Sequence, residues 1–209
     1  IANTNFGSNE FSTPQIKVEM RAHFLFALSH NKAYTVVLKM VSKMIGETKN
    51  LCNRIDLYTD VQGIKYTTFD ELRFQTNYKC TDFSINKYQK FKKLTGFHFG
   101  NGDFMFRIYD KTYEIQLKKN KAFIQYKWLM NNYNKEQNLK VWRHEVQYRR
   151  AELKNFMPRD LEDEVLFHFS QIDKLWHNAT SKIRWTDLSN DEVLRISENG
   201  FTYGFLFTM

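Results

Sequence analysis

Proline and glycine are scarce, with 2 and 8 among 209 residues, which argues against a disordered or linker-rich chain. The two cysteines, Cys52 and Cys80, have no metal-ligand spacing. They fit a reducing compartment where thiols stay free, and a cytoplasmic location is expected. No run approaches the roughly 20 apolar residues of a membrane helix. Ile1 to Ser12 are polar and do not read as a signal peptide. There is no Gly-x-x-x-x-Gly-Lys, so no nucleotide-binding P-loop is expected. Internal repeats and low-complexity tracts are also missing.

What is present is an ordinary globular balance, 42% hydrophobic and 26% charged. The length suits one domain with a real core. The formal charge is +8, from 31 basic and 23 acidic residues. A moderately basic surface suits a polyanion, nucleic acid before acidic membrane. The abundant Asn, Lys, Phe and Tyr partly reflect an AT-rich coding sequence and carry no functional weight. The chain lacks an initial Met and stops after the hydrophobic stretch Phe201 to Met209, so a fragment of a longer protein is expected.

Ile16 to Phe26 begins with period-two alternation and reads as a strand. Lys32 to Ile45 places Val36, Val37, Met40, Val41 and Met44 at helical spacing, with Gly46 as a stop. Arg54 to Val61 reads as a strand closed by Gly63, and Tyr66 to Phe74 as another. Phe91 to Phe99 and Asp103 to Ile115 flank Gly100-Asn101-Gly102, an antiparallel hairpin signal. A helix is expected over Lys121 to Asn134 and a strand from Val141 toward Leu153. Pro158 marks a break, and Asp160 caps a helix running to about Lys182. Leu161, Val165, Phe169, Ile172, Leu175 and Trp176 form its buried face. The order implies an α+β fold with helices on a mostly antiparallel sheet, ferredoxin-like in its simplest form. The expected division is an N-terminal extension over 1–15, the main domain over 16–186 and a C-terminal segment over 187–209.

Three strands carry polar residues with period two. Arg54, Asp56, Tyr58 and Asp60 share one face. Arg107, Tyr109 and Lys111 align in the second strand, and Arg143, Glu145, Gln147 and Arg149 in the third. A solvated face explains any one of them. Three in one domain point to a surface with acids, a tyrosine, a lysine and arginines, because buried charge is costly unless paired or used. A tyrosine hydroxyl needs activation by a cation, since its reference pKa is about 10. Carboxylates can hold a hard divalent cation, Mg²⁺ or Mn²⁺, and arginines can hold phosphate oxygens. Those are the groups phosphotyrosyl transfer requires. Exchange of one phosphodiester for another is nearly isoenergetic and needs no nucleotide cofactor.

Arg107-Ile108-Tyr109-Asp110-Lys111, followed after a gap by Val141-Trp142-Arg143-His144-Glu145-Val146-Gln147-Tyr148-Arg149-Arg150, resembles the paired blocks of the replication initiation factor (Rep_trans) family. That family includes staphylococcal rolling-circle plasmid initiators, related phage proteins and some conjugative relaxases. Arg54-Ile55-Asp56 with Asp60 resembles its upstream acidic strand. Leu161, then Asp173-Lys174-Leu175-Trp176 and Thr180, resemble the tail of its plasmid and phage branch. The resemblance covers about Ile16 to Arg184.

The resemblance implies a fold related to the HUH endonucleases and a metal-dependent, site-specific nicking and joining of one DNA strand. It makes Tyr109 the nucleophile that keeps the 5′ phosphate and frees a 3′ hydroxyl for priming. Lys111 then orients the phosphate or lowers the Tyr109 pKa. Asp56, Glu145 and Asp60 are the candidate ligands for Mg²⁺ or Mn²⁺. Arg54, Arg107, Arg143 and Arg149 are the candidate DNA contacts. The implied partner is origin DNA, single-stranded or hairpin, with a host helicase and a homodimer left open and no membrane. The sequence departs from the HUH pattern in having no His-hydrophobe-His motif. His144 falls on the opposite face by parity, and His98 stays open as a ligand. Tyr113 is the fallback nucleophile, because two tyrosines four apart in a strand share a face. Tyr58 reads as packing or site-lining, and Trp142, Trp176 and Trp185 as core. Lys118, Lys119 and Lys121, like Lys90, Lys92 and Lys93, read as a DNA grip or, more commonly, a solvated surface. A non-catalytic DNA-binding regulator and a conjugative relaxase are the alternatives.

Overall fold

The computed structural model describes residues 3–4, 16–47, 50–76, 85–90, 92–117, 121–130, 133, 139–156 and 169–185. The expected break at Pro158, the Asp160 cap, Leu161, Val165, Cys80, Lys118, Lys119 and the segment 187–209 lie outside them, as does the side chain of Phe169. Two compact units divide the chain, Ile1–Thr48 and Lys49–Thr208.

In the first unit, β1 (Asn3–Thr4) pairs antiparallel with β2 (Ile16–Lys17). The strand expected to reach Phe26 stops at Lys17, and α1 (Ala22–Ala27) takes over. Its sequence Ala-His-Phe-Leu-Phe-Ala has no β-branched residue, so nothing opposes the helical turn closed by Leu25 N–H on Arg21 C=O at 3.1 Å. The helix α2 (His30–Ile45) follows and ends at Gly46, whose φ of 82° is left-handed.

The second unit holds an antiparallel five-stranded sheet. In chain order its strands are β3 (Arg54–Gln62), β5 (Ile85–Lys90), β6 (Lys93–Phe99), β7 (Phe104–Asp110) and β8 (Val141–Arg149). Across the sheet the order is β3-β8-β7-β6-β5. The class is α+β, as the sequence pattern implies. The hairpin β6–β7 turns through Gly100 (φ 74°) and Gly102 (φ 67°), where a side chain would be strained. The edge strand β5 was not expected, because Ile-Asn-Lys-Tyr-Gln-Lys has no apolar alternation to announce it.

Two expected strands are partly helical, each for a visible reason. Thr67 and Asp70 form a capping box, with Thr67 N–H donating to Asp70 Oδ2 at 2.6 Å. A 3₁₀ turn over Thr68–Arg73 therefore replaces most of the strand placed at Tyr66 to Phe74, leaving only β4 (Phe74–Thr76). The strand expected to reach Ile115 ends at Asp110, where α3 (Lys111–Leu117) starts. The Asp110 carboxylate accepts the Tyr113 backbone N–H at 2.8 Å, which is an N-cap bond. The remaining elements are α4 (Ala122–Met130), α5 (Arg150–Leu153), α6 (Phe169–Lys182) and β9 (Ile183–Trp185), which pairs with β4.

The core lies on one face of the sheet. Register pairs Phe97 with Ile108, Phe99 with Phe106, Phe106 with Val146 and Phe104 with Tyr148. These residues are buried with Trp142, Leu153, Leu175, Trp176 and Ala179. Each large side chain fully buried there contributes about 2–3 kcal/mol. The Tyr148 hydroxyl donates to Leu175 C=O at 2.8 Å and so pins α6 to the sheet. Trp185 is partly buried against the same cluster. Among the described residues no helix is long and apolar enough to cross a membrane.

Candidate active site

The polar residues gather on the other face. Because β6, β7, β8 and β3 are in continuous register, they form rows across the sheet. One row runs Gly96, Tyr109, Arg143, Asp60. The next runs His98, Arg107, Glu145, Tyr58. Gln147 then pairs with Asp56, and Arg149 with Arg54. Every one of these alternates with a core residue of the same strand.

Tyr109 is half-buried, and its hydroxyl donates to Glu145 Oε2 at 2.8 Å. Glu145 Oε1 accepts from Arg107 at 2.5 Å. Lys111 stands at the first turn of α3 instead of in the strand, so its place near Tyr109 comes from the helix start and not from strand parity. Its Nζ lies 3.4 Å from the Tyr109 hydroxyl and 2.5 Å from Glu114 Oε2. Lys121 binds the other Glu114 oxygen. Tyr113 is likewise helical, which removes the shared-strand argument for it. Lys90 Nζ sits 5.6 Å from its ring centroid.

The electrostatics of this cluster run as follows. Burial, then the Glu145 charge, pushes the Tyr109 hydroxyl well above the usual phenol range, with Arg143 opposing. The net direction is opposite to the expected lowering by Lys111. Burial brings Lys111, only 2% exposed, down to about 8, and Arg143 adds to this while Glu114 resists. Burial works to raise Glu114, but hydrogen bonds from Lys111 and Lys121 outweigh it and hold the carboxyl at about 2.

Asp60 is closed. Arg143 meets it with two donors at 2.6 and 2.7 Å, Trp128 Nε1 donates to it at 2.9 Å, and the Tyr133 hydroxyl donates to its carbonyl. The Arg143 guanidinium also lies 3.7 Å from the Tyr58 ring centroid. Asp56 pairs with its neighbour Arg54, whose Nε donates at 2.7 Å, in an exposed contact worth about 0–1 kcal/mol. His144 faces the core, with Nε2 3.1 Å from the Tyr66 hydroxyl, and burial brings it down to about 4. His98 is on the site face, with Nδ1 3.1 Å from the Tyr88 hydroxyl. Burial, then the Arg107 charge, keeps it below the ordinary histidine range.

The structure thus brings Tyr109, Lys111, Glu145, Arg107 and Arg143 together, and adds Glu114 and Lys121. The spacing Lys111-x-x-Glu114 is the signal that could have found Glu114, once the segment is read as helix. It does not bring Asp56, Asp60 and Glu145 to one point. Asp56 and Asp60 have both oxygens on an arginine, and Glu145 has one on Arg107 and one on the Tyr109 hydroxyl. Among the described residues no group of three or more His, Cys, Asp or Glu could hold a metal ion. The carboxylates therefore do not fit the three-ligand site expected for Mg²⁺ or Mn²⁺.

No family model matches the chain, and no curated protein matches it. Its fold is similar to a solved rolling circle replication initiator protein from Geobacillus stearothermophilus, at 14% identity and a TM-score of 0.40. The match covers 77% of this chain and 55% of that one, so the chain spans about half the length of the protein it matches.

Proposed function

We propose that this chain is the nicking domain of a rolling-circle replication initiator, a strand transferase that cuts one DNA strand with Tyr109. The observation that carries the reading is the Tyr109 hydroxyl, half-buried, on Glu145 at 2.8 Å with Lys111 at 3.4 Å, Arg143 in its own row and Arg107 in the next. The motif blocks that resemble the replication initiation factor family support it independently.

In this reading the Tyr109 oxygen attacks a backbone phosphorus and its proton passes to Glu145, the group it already touches. The P–O3′ bond breaks, the 3′ oxygen takes a proton from solvent water and leaves as a hydroxyl, and the 5′ phosphate stays on the tyrosine. Arg107 and Lys111 neutralise the charge that gathers on the phosphate oxygens. The three carboxylates Asp56, Asp60 and Glu145 do not meet at one point, and in this reading the side chains named above carry the reaction. Divalent-cation dependence is decided by titrating Mg²⁺ and Mn²⁺ into the reaction.

The second reading, a non-catalytic DNA-binding regulator, is favoured by the arginine pairing of all three carboxylates. The deciding experiment mixes the chain with labelled single-stranded oligonucleotides of candidate origin sequence, with and without cation. A denaturation-resistant adduct mapped to Tyr109, lost in Tyr109→Phe while DNA binding stays within about twofold, is the expected result. Binding with no adduct under any condition favours the regulator. An adduct that survives Tyr109→Phe overturns the assignment of the nucleophile.

A further inference from the structure

The lysine beside Tyr109 is aimed by a group that the reaction does not touch. Contacts on both sides fix the backbone at the start of α3. The Asp110 carboxylate accepts Tyr113 N–H at 2.8 Å and meets Lys140 Nζ at 2.7 Å, and Val141 N–H donates to Thr112 Oγ1 at 2.9 Å. They place the Lys111 backbone but leave its long side chain free to rotate, so the cap does not decide where Nζ points. Glu114, one helical turn on, meets Nζ at 2.5 Å and so holds it 3.4 Å from the Tyr109 hydroxyl. The second Glu114 oxygen is taken by Lys121, whose C=O accepts Ile124 N–H at the start of α4. The carboxylate is therefore gripped from two helices.

Charge leads to the same residue. Arg143 is matched by Asp60, and Arg107 by Glu145. Lys111 and Lys121 share the single carboxylate of Glu114, so this triad supplies the cationic surplus beside the tyrosine. Lys111 is buried, and it is faced by Tyr109 from β7, Arg143 from β8, Glu114 from α3 and Lys121 from beside α4. Burial, then Arg143, draws Lys111 toward its neutral form, and Lys121 adds to this. Glu114 is the carboxylate that opposes them. In the strand-transfer step negative charge gathers on the Tyr109 oxygen while its proton moves to Glu145. Only a charged ammonium gives that oxygen a charge-assisted hydrogen bond. A pair that merely steadied the helix would have no reason to bury its cation, because exposed pairs do so without the desolvation cost.

We propose that Glu114, held by Lys121, is a positioning residue for strand transfer, keeping Lys111 charged and aimed at the Tyr109 oxygen. Lys111 touches the reacting atom, and Glu114 acts only through it. The proton balance of the step is unaltered, since Lys111 keeps its protons throughout. The inference rests on the strand-transfer reading for what the lysine does, and one of its two readouts is independent of that reading.

Both readouts use the whole chain. In the first, ¹³Cε-lysine NMR follows Lys111 across pH, its signal assigned by its loss in Lys111→Met. The parent is expected to titrate at about pH 8. Glu114→Gln, which preserves shape, is expected to titrate at least about one pH unit lower, because burial and the two cations then act unopposed. In the second, adduct formation on a labelled single-stranded oligonucleotide is timed from about pH 6 to about pH 9. Glu114→Gln is expected to be about tenfold slower than the parent at about pH 8 and within about twofold of it near pH 6, where the lysine is charged again. Glu114→Asp, which keeps the charge, retains the parent profile. In a Lys111→Arg background, where the cation is permanent, Glu114→Gln no longer moves the profile. A Lys111 midpoint that Glu114→Gln leaves unmoved overturns the proposal. So does a loss of rate that is the same at every pH or the same in the Asp and Gln variants, either of which marks a purely structural role. A parent that titrates as expected but forms no adduct overturns the strand-transfer reading, while the NMR shift still establishes the coupling of Glu114 to Lys111.

Discussion

Asp60 and Glu145 are carboxylates on adjacent strands of one sheet face, and the fold uses them differently. Asp60 is 9% exposed in its side chain and receives Arg143 twice and Trp128 once. Glu145 is 16% exposed and splits its oxygens between Arg107 and the Tyr109 hydroxyl. The first is sealed by permanent partners that tie α4 to β3 and β8. The second touches the Tyr109 hydroxyl, the nucleophile of the proposed reaction. A row of charges on a sheet is therefore not one functional unit. The β3 end of these rows, next to α4, holds the fold, and the end beside the hairpin strands carries the candidate site.

Removing Asp60 is the strongest way to break that contrast. Asp60→Ala leaves the Arg143 guanidinium buried without its anion and is expected to cost about 3–5 kcal/mol, read as a lower urea midpoint. A loss under about 1 kcal/mol would mean that the pair is not structural. Glu145→Gln comes next. It preserves shape and is expected to leave the urea midpoint nearly unchanged while slowing adduct formation at least about a hundredfold. Equal rates in parent and variant would remove Glu145 as the base. If the loss appears only in Mg²⁺ or Mn²⁺, the carboxylate acts through a cation instead.

The smallest expected effect is a pH dependence at Lys111. Its folded pKa, about 8, lies below the unfolded lysine value of 10.5, so the unfolded chain binds more protons between those values. Stability from this group therefore rises as pH rises through 8 toward 10.5. Between pH 7 and 9.5 the parent is expected to gain about 1–2 kcal/mol relative to Lys111→Met, measured by urea denaturation at each pH. Glu114, held at about 2, is ionised throughout that window and does not contribute. Parallel pH profiles in the two chains would show that Lys111 is not desolvated by the fold.

Much of the face pattern was legible because β3, β7 and β8 alternate strictly. Period two alone puts Arg107 and Tyr109 on one side of β7, and Glu145 and His144 on opposite sides of β8. The partners of each carboxylate were not legible, because they depend on strand register, and parity carries no register. The Asp60–Arg143 pair exists only because β3 lies beside β8 in one particular alignment. The start of α3 was hidden for another reason. Asp110 ends a strand and caps a helix at once, and the hydrophobic alternation that runs up to it gives no warning of the change. β5 stayed invisible because an edge strand with few apolar residues has no pattern to read.

The turn at Gly100 and Gly102 fixes more than a bend. It sets which residue of β7 stands opposite which residue of β6, and so decides which side of the sheet Arg107 and Tyr109 emerge on. One residue added to that loop would slide β7 by a single step and send Phe106 and Ile108 outward, with the arginine and the tyrosine buried among phenylalanines. Two glycines remote from Tyr109 thereby choose which face of the sheet carries the polar residues and which carries the core.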